Sequence, residues 1–352
     1  MPRKPSRQKA QGPMTRPGFE GSAEEPSFAE VLELIQKAKW RTLSLVNTAL
    51  IDLYWQVGEY ISRKLESATW GDGSVEALAA YLARRRPGLR GFSRPNLFRM
   101  RMFFEVYRDD KKVSTLLRQL PWSSNLHILS KCKRPEEREF YLRMAVEQRW
   151  PVRELARQID GALFERVLLN PPKVSKALKA LHPGSPSILR DAYLLEFLDL
   201  TEGHREVDLH SGLLRHLRRF LAELGRDFCF VGSEVPLQVG GKDFALDLLF
   251  FHRGLNSLVA IELKLCEFQP EHLGKLEFYL EALDRDVRKA HEGPSIGVLL
   301  CAGKDDEVVE YALSRAQSPA LIAEYQTHLP DKKLLQAKLH ELYALTVNGH
   351  PG

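Results

Sequence analysis

Nothing in these 352 residues approaches the roughly 20 consecutive apolar positions that a bilayer-spanning helix needs, so no membrane partner is expected. The first residues are basic and rich in proline and glycine, and no apolar stretch follows them, which argues against a secretory signal. Cysteine is scarce. Cys132, Cys229, Cys266 and Cys301 are scattered without the paired spacing of a disulfide framework or a zinc knot, and each reads as a small hydrophobe in a reducing, cytoplasmic setting. Residues 1–26 lack hydrophobic periodicity and are expected to be a disordered tail whose five positive charges either brush nucleic acid or merely solubilise the chain.

What is present is ordinary for a globular protein, 44% hydrophobic and 28% charged residues, and the length suggests two or three domains. The net charge of +5 hides an asymmetry. Residues 1–200 hold 34 Lys/Arg against 23 Asp/Glu, a net of +11, and residues 201–352 hold 17 against 23, a net of −6. The first half therefore suits attraction to a phosphate backbone, and the second suits a cation site.

Residues 27–169 read as helices throughout. Val31, Leu34, Ile35, Ala38, Leu45, Val46, Leu50, Leu53, Tyr54, Val57 and Ile61 recur at helical spacing, which predicts one long helix or two stacked ones. The stretch RRRPGLRGFSRPNLFRMRMFFEVY predicts two helices across a Pro/Gly turn, with Ser93 as N-cap and Pro95 in the first turn of the second. Arg94, Arg99 and Arg101 flank the apolar Leu97, Met100, Phe103 and Phe104 there. Two readings stay open: a helix-turn-helix contact to nucleic acid, or a packed domain for self-association. Pro121, Pro135 and Pro151 mark later helix starts. Residues 170–191, rich in proline, lysine and small side chains, are expected to be an interdomain linker.

Residues 192–348 predict an α/β domain in the order helix, three strands, helix, strand. DAYLLEFLDL is expected to be partly helical and VDLHSGLLRHLRRFLAELG to be one amphipathic helix ending on Gly225. Strands are expected at 228–239, 243–252 and 257–265, with Gly240 and Gly241 in a hairpin turn, and at SIGVLLCA. Two helices, around 307–314 and 331–345, are expected to cover the sheet.

Charge falls where those strands should be apolar. Asp247 sits inside FALDLLFF, and Glu262 and Lys264 sit inside LVAIELKL. Because side chains alternate across a strand, Glu262 and Lys264 share a face, and a neighbouring strand can bring Asp247 beside them. Buried charges need partners or a metal. One reading is a structural ion pair between Lys264 and a carboxylate. The other is a site for a small hard cation, Mg²⁺ or Mn²⁺, taking oxygens from Asp247, Glu262 and the Leu263 carbonyl, with Lys264 offsetting charge on a phosphodiester. Glu234 is a further candidate for the metal's surroundings, and Lys275 and Tyr279, four apart on the next helix, for substrate phosphate.

An Asp, a hairpin and Glu-x-Lys resemble the PDDEXK nuclease core, and the longer run DFALDLLFFHRGLNSLVAIELKLCEFQPEHLGKLEFYL is similar to the YhcG-type branch of that superfamily. YWQVGEYI, GFSRPNLFRMR, LPWSSNLHIL and REFYLRMAVEQRW likewise resemble the helical domain that precedes the nuclease in that family, so the likeness covers nearly all of 28–345. It implies a helical domain followed by a restriction-endonuclease-like α/β domain with a mixed sheet. It also implies metal-dependent cleavage of nucleic acid, with Asp247 and Glu262 as metal ligands and Lys264 as the catalytic lysine. DNA is expected over RNA, and a homo-oligomer is expected because duplex cleavage needs two cuts. The chain departs from the family pattern twice. Ser124 stands where relatives carry a histidine, and His210 stands where many carry a glutamate, which leaves His210 either weakening the metal site or serving as a substitute base or support. These departures keep alive an alternative, a non-catalytic nucleic-acid-binding module.

Overall fold

The computed structural model describes residues 25–67, 73–200 and 203–348. The expected tail lies outside these, save that residues 25 and 26 already belong to the first helix. The N-terminal half is helical: α1 Glu25–Glu66, α2 Ser74–Arg85, α3 Arg94–Tyr107, α4 Ser114–Gln119, α5 Trp122–Lys131, α6 Pro135–Glu147, α7 Val152–Asp160 and α8 Leu163–Leu169. The periodic run in the sequence forms one long helix, α1. It crosses α3 so closely at Gly58 that a Cβ there would lie 2.2 Å from the Met100 carbonyl oxygen, so only glycine fits the crossing. Ile51, Phe103, Leu117, Ile128, Tyr141 and Leu155 fill the core between these helices.

The segment expected to be a linker is packed instead. Residues 170–191 contain α9, Lys176–Leu181, and α10, Ser185–Ile188, and they bury Leu178 and Leu189 in the core of the second half. Ser175 pins them there, its hydroxyl accepting from the Ala320 N–H and donating to the Ser318 carbonyl. Leu178 and Leu189, with Val174 and Ile188 packed against the same core, thus outweighed the polar composition.

The second half contains β1 Ala192–Leu194, α11 Glu206–Arg215, α12 Leu217–Leu224, β2 Phe228–Val239, β3 Lys242–His252, β4 Ser257–Glu267, α13 Glu271–Asp286, β5 Gly293–Gly303, α14 Asp306–Arg315, β6 Ala320–Gln326 and α15 Lys332–Asn348. They form one six-stranded sheet in the order β1-β6-β5-β4-β3-β2. Strands β2, β3 and β4 are antiparallel and β4, β5, β6 and β1 parallel. Two strands escaped the sequence reading. Ala192–Leu194 is a strand rather than the expected helix, followed by a 3₁₀ turn at Glu196–Leu198. The run Ala320–Gln326 is short and buried, where periodicity cannot separate strand from helix. The expected single amphipathic helix breaks in two at His216.

One helix expected on the sheet goes elsewhere. α15 packs against α8, and Leu339, wholly buried, joins the core of the helical half. Lys332 donates to the Ile159 carbonyl and Gln336 to the Glu165 carboxylate. A second tie is electrostatic. Glu223 on α12 is fully buried and receives Arg157 at 2.5 Å and Gln158 at 3.1 Å from α7, Arg190 at 2.9 Å, and the Leu194 N–H at 3.0 Å. Burial pushes the Glu223 carboxyl up, but Arg190, Arg157 and Arg166 outweigh it and hold the group down at about 2.

Candidate active site

β3 and β4 pair with Leu248 opposite Ile261, a register that sets Asp247 across from Glu262. The two carboxylates and Lys264 are brought together as the sequence suggested. Asp247, half-buried, accepts a 2.7 Å hydrogen bond on Oδ2 from the Leu263 N–H. Glu262 is fully buried, and its Oε1 receives Lys264 Nζ at 2.8 Å and Lys275 Nζ at 2.5 Å. Lys264 also donates to the Leu263 carbonyl at 3.0 Å. α13 supplies Lys275 because Leu273, Leu276 and Leu280 seat that helix on the sheet.

Burial raises the Asp247 carboxyl; the Leu263 N–H opposes this and the neighbouring Glu262 charge reinforces it. For Lys275, burial works downward, and the hydrogen bond and charge of Glu262 overcome it to push the amine up to about 12. The second oxygen of Glu262, Oε2, is buried with no hydrogen-bond partner. An unsatisfied carboxylate oxygen in the interior is costly. On a residue paired across the strands with Asp247, it is the kind of oxygen that a hard cation takes. Among the described residues no three His, Cys, Asp or Glu side chains converge to hold a metal; the oxygens on offer here are those of Asp247 and Glu262 and the Leu263 carbonyl, which already accepts from Lys264. That set fits Mg²⁺ or Mn²⁺, which are held by one or two carboxylates and fill their other positions with water and phosphate oxygens.

The other candidates separate. His210 Nε2 lies 3.1 Å from the Asp247 carbonyl oxygen, so α11 touches the site through backbone. Glu234 occupies the β2 position opposite Asp247, since Ser233 pairs with Leu248 and Val235 with Leu246. It is exposed, with φ at +49°, a strained conformation beside the site. Tyr279 is buried, its hydroxyl bound to the Ala245 carbonyl and its ring 5.3 Å under Lys275 Nζ, so it supports the lysine rather than facing substrate. Arg94, Arg99 and Arg101 lie on α3, apart from this centre. Arg94 pairs with Glu76 and Arg101 with Glu105, while Arg99 is exposed. The sequence reading missed Glu206. It sits one helical turn before His210, and its charge acts on Asp247; the i, i+4 spacing from His210 was the available signal.

Comparison with known proteins places the chain. The protein named Putative nuclease YhcG from Escherichia coli (strain K12) is 30% identical over 358 aligned positions, which cover 91% of this chain and 94% of that one. The chain belongs to the YhcG family. The profile of the YhcG PDDEXK nuclease domain matches residues 186–340, and that of the DUF1016 N-terminal domain matches 30–166. The second half is therefore a PDDEXK-type nuclease domain following a helical region. Among solved structures, a repair endonuclease from Pyrococcus abyssi matches 37% of this chain and 50% of its own at 13% identity with a TM-score of 0.24. A complex described as EndoMS-dsDNA2 matches 30% and 38% at 16% identity with a TM-score of 0.20. Among the described residues no helix is long and apolar enough to cross a membrane.

Proposed function

We propose that this YhcG-family protein is a Mg²⁺- or Mn²⁺-dependent endonuclease that hydrolyses phosphodiester bonds in DNA. The buried, unpartnered Glu262 Oε2, on the residue opposite Asp247, is the observation that carries the reading. Asp247, Glu262 and the Leu263 carbonyl would hold the cation, which supplies a Lewis acid for the phosphate and lowers the pKa of an attacking water. Lys264 places a positive charge where a phosphodiester gains negative charge in the transition state. Lys275 adds a second ammonium on the same carboxylate and, half-exposed, reaches toward substrate phosphate. His210 holds the Asp247 backbone in place. Glu234 and Glu206 add carboxylates around the entrance to the site.

The helical half is proposed to contact nucleic acid or a second copy of the chain. From 77 to 104 the sequence holds seven arginines and no acidic residue. Arg84, Arg85, Arg86, Arg90 and Arg99 are exposed, together with Tyr81 and Phe98. The eight residues from Arg86 to Ser93 that join α2 and α3 exceed the tight turn of a helix-turn-helix reader, so contact through phosphate is favoured over a base-reading helix. A homo-oligomer would bring the second active centre that two cuts require. All four cysteines are unpaired, in keeping with a cytoplasmic setting.

The test is cleavage of supercoiled, linear, branched and single-stranded DNA and of RNA with Mg²⁺ or Mn²⁺ against chelator, for wild type, Lys264→Ala and Asp247→Ala. Metal-dependent cutting lost in both variants supports the enzyme. Equal binding by all three with no cutting refutes it in favour of a binding module.

A further inference from the structure

A cleft of about 650 Å³ lies at the seam between the two halves, a volume suited to a nucleotide-sized ligand. Phe140 and Met144 of α6 and Val167 of α8 form one wall, and Ile188 and Phe228 form the other. His252 and Gly254 close one end. His252 lies five residues along β3 from Asp247, about 17 Å at strand rise, so the cleft and the nuclease centre are separate places.

Aromatic and aliphatic side chains line the cleft together with Arg166 and Arg190. Arg166 is only 5% exposed and lines it; its Nε donates to the Gly161 carbonyl and its Nη1 to the Ala192 carbonyl. Nη2 has no hydrogen-bond partner, and Glu223 is 3.9 Å away. Arg157 pairs with Glu154, Glu196 and Glu223, and Arg190 pairs with Glu223, so Arg166 is the guanidinium of the cluster whose carboxylate contact is long. Burial accordingly depresses the Arg166 guanidinium despite Glu223. The carboxylates of the lining leave the Arg166 Nη2 without a hydrogen bond. Asp191 is taken by Lys304, Asp227 by Arg253 and Glu139 by Arg143, while Glu136 and Glu147 stand exposed at the rim. Buried cations of this kind are stable when a counter-charge completes them, and a guanidinium edge prefers a phosphate or carboxylate.

We propose that this cleft binds a small organic anion, a ring or aliphatic body bearing one phosphate or carboxylate, with the acid on Arg166 and Arg190 and the body against Phe140, Met144 and Phe228. Such a ligand touches α6 and α8 on one side and α10, β1 and β2 on the other, so binding would fasten the helical half to the nuclease half. The inference stands apart from the nuclease reading, because none of its residues belongs to the Asp247 centre.

Isothermal calorimetry in EDTA tests it with four probes: adenosine 5′-monophosphate, hexanoate, adenosine and inorganic phosphate. The expected result is one-to-one binding of the nucleotide or of hexanoate, which tells the two sources of anion apart. Adenosine and phosphate alone should bind at least about tenfold more weakly, since each forfeits one half of the contact. Arg166→Met should weaken binding about tenfold or more. Met144→Trp, which fills the cleft from its partly exposed rim, should abolish it while leaving the melting temperature near that of wild type. The proposal is overturned if neither amphipathic anion binds, if Met144→Trp binds as wild type does, or if Asp247→Asn alone removes binding.

Discussion

Glu223 and Glu262 are both completely buried, yet the protein treats them in opposite ways. Around Glu223 the interior supplies two close guanidiniums, a glutamine amide and a backbone N–H, so both oxygens are engaged. Around Glu262 it supplies two ammonium groups to one oxygen and nothing to the other. Fixed, delocalised arginine forks suit a permanent joint. Lysines are point charges on flexible stems, and an open oxygen beside a second carboxylate suits a visitor.

The sharpest way to break the comparison is to remove each glutamate in turn. Glu223→Ala leaves Arg157, Arg166 and Arg190 without their shared partner at the seam, and chemical denaturation should show a loss of about 3–5 kcal/mol. Cleavage per folded molecule should stay within about twofold. Glu262→Gln should do the reverse, cutting DNA cleavage by about 100- to 1000-fold with Lys264→Ala and Asp247→Asn alongside it, while the melting temperature falls little or rises.

Acid separates the two sites as well. Because the folded-state pKa of Glu223 is depressed, its stabilisation is complete above 4.5 and is lost as pH falls from there toward about 2. Denaturation measured from pH 6 to 3 should show wild type losing stability below 4.5 more steeply than Glu223→Gln, by about 2 kcal/mol at pH 3. A parallel pair of curves would mean that Glu223 is not held ionised by its arginines.

Smaller effects sharpen the other side. Mg²⁺ or Mn²⁺ at about a hundred times its dissociation constant should stabilise the wild type by about 3 kcal/mol, reversed by EDTA and absent in Asp247→Asn. Glu223→Gln should keep that metal response in full. Lys275→Met should lower cleavage about tenfold, because Lys264 still neutralises Glu262. An unchanged rate would confine Lys275 to holding α13 on the sheet.

Most of the candidate site was legible because polar residues in apolar strands are few and expensive. Asp247, Glu262 and Lys264 announced themselves by position, and strand alternation put the last two on one face. The strands themselves were readable where they were long: 228–239 and the hairpin through Gly240 and Gly241 stand where expected. Short buried elements were not readable. Ala192–Leu194 and Ala320–Gln326 have too few residues for any period to emerge, and only pairing across the sheet makes them strands. Burial of Tyr279 and the strained backbone at Glu234 depend on neighbours distant in sequence. The Arg157–Glu223–Arg190 cluster likewise joins positions up to 66 apart, and no local pattern marks it.

The return of α15 to the helical half makes the chain a loop closed on itself. A ribosome finishing this protein must complete the last helix before the first core has all its parts, since Leu339 fills space among residues made some two hundred positions earlier. Cutting the chain after Gln326 would leave the six strands intact and still open a hole in the other half, with the ammonium of Lys332 gone from beside Glu137. The two halves should therefore melt in one step rather than two. A fragment ending at the boundary that the sequence suggests would be a poor stand-in for either.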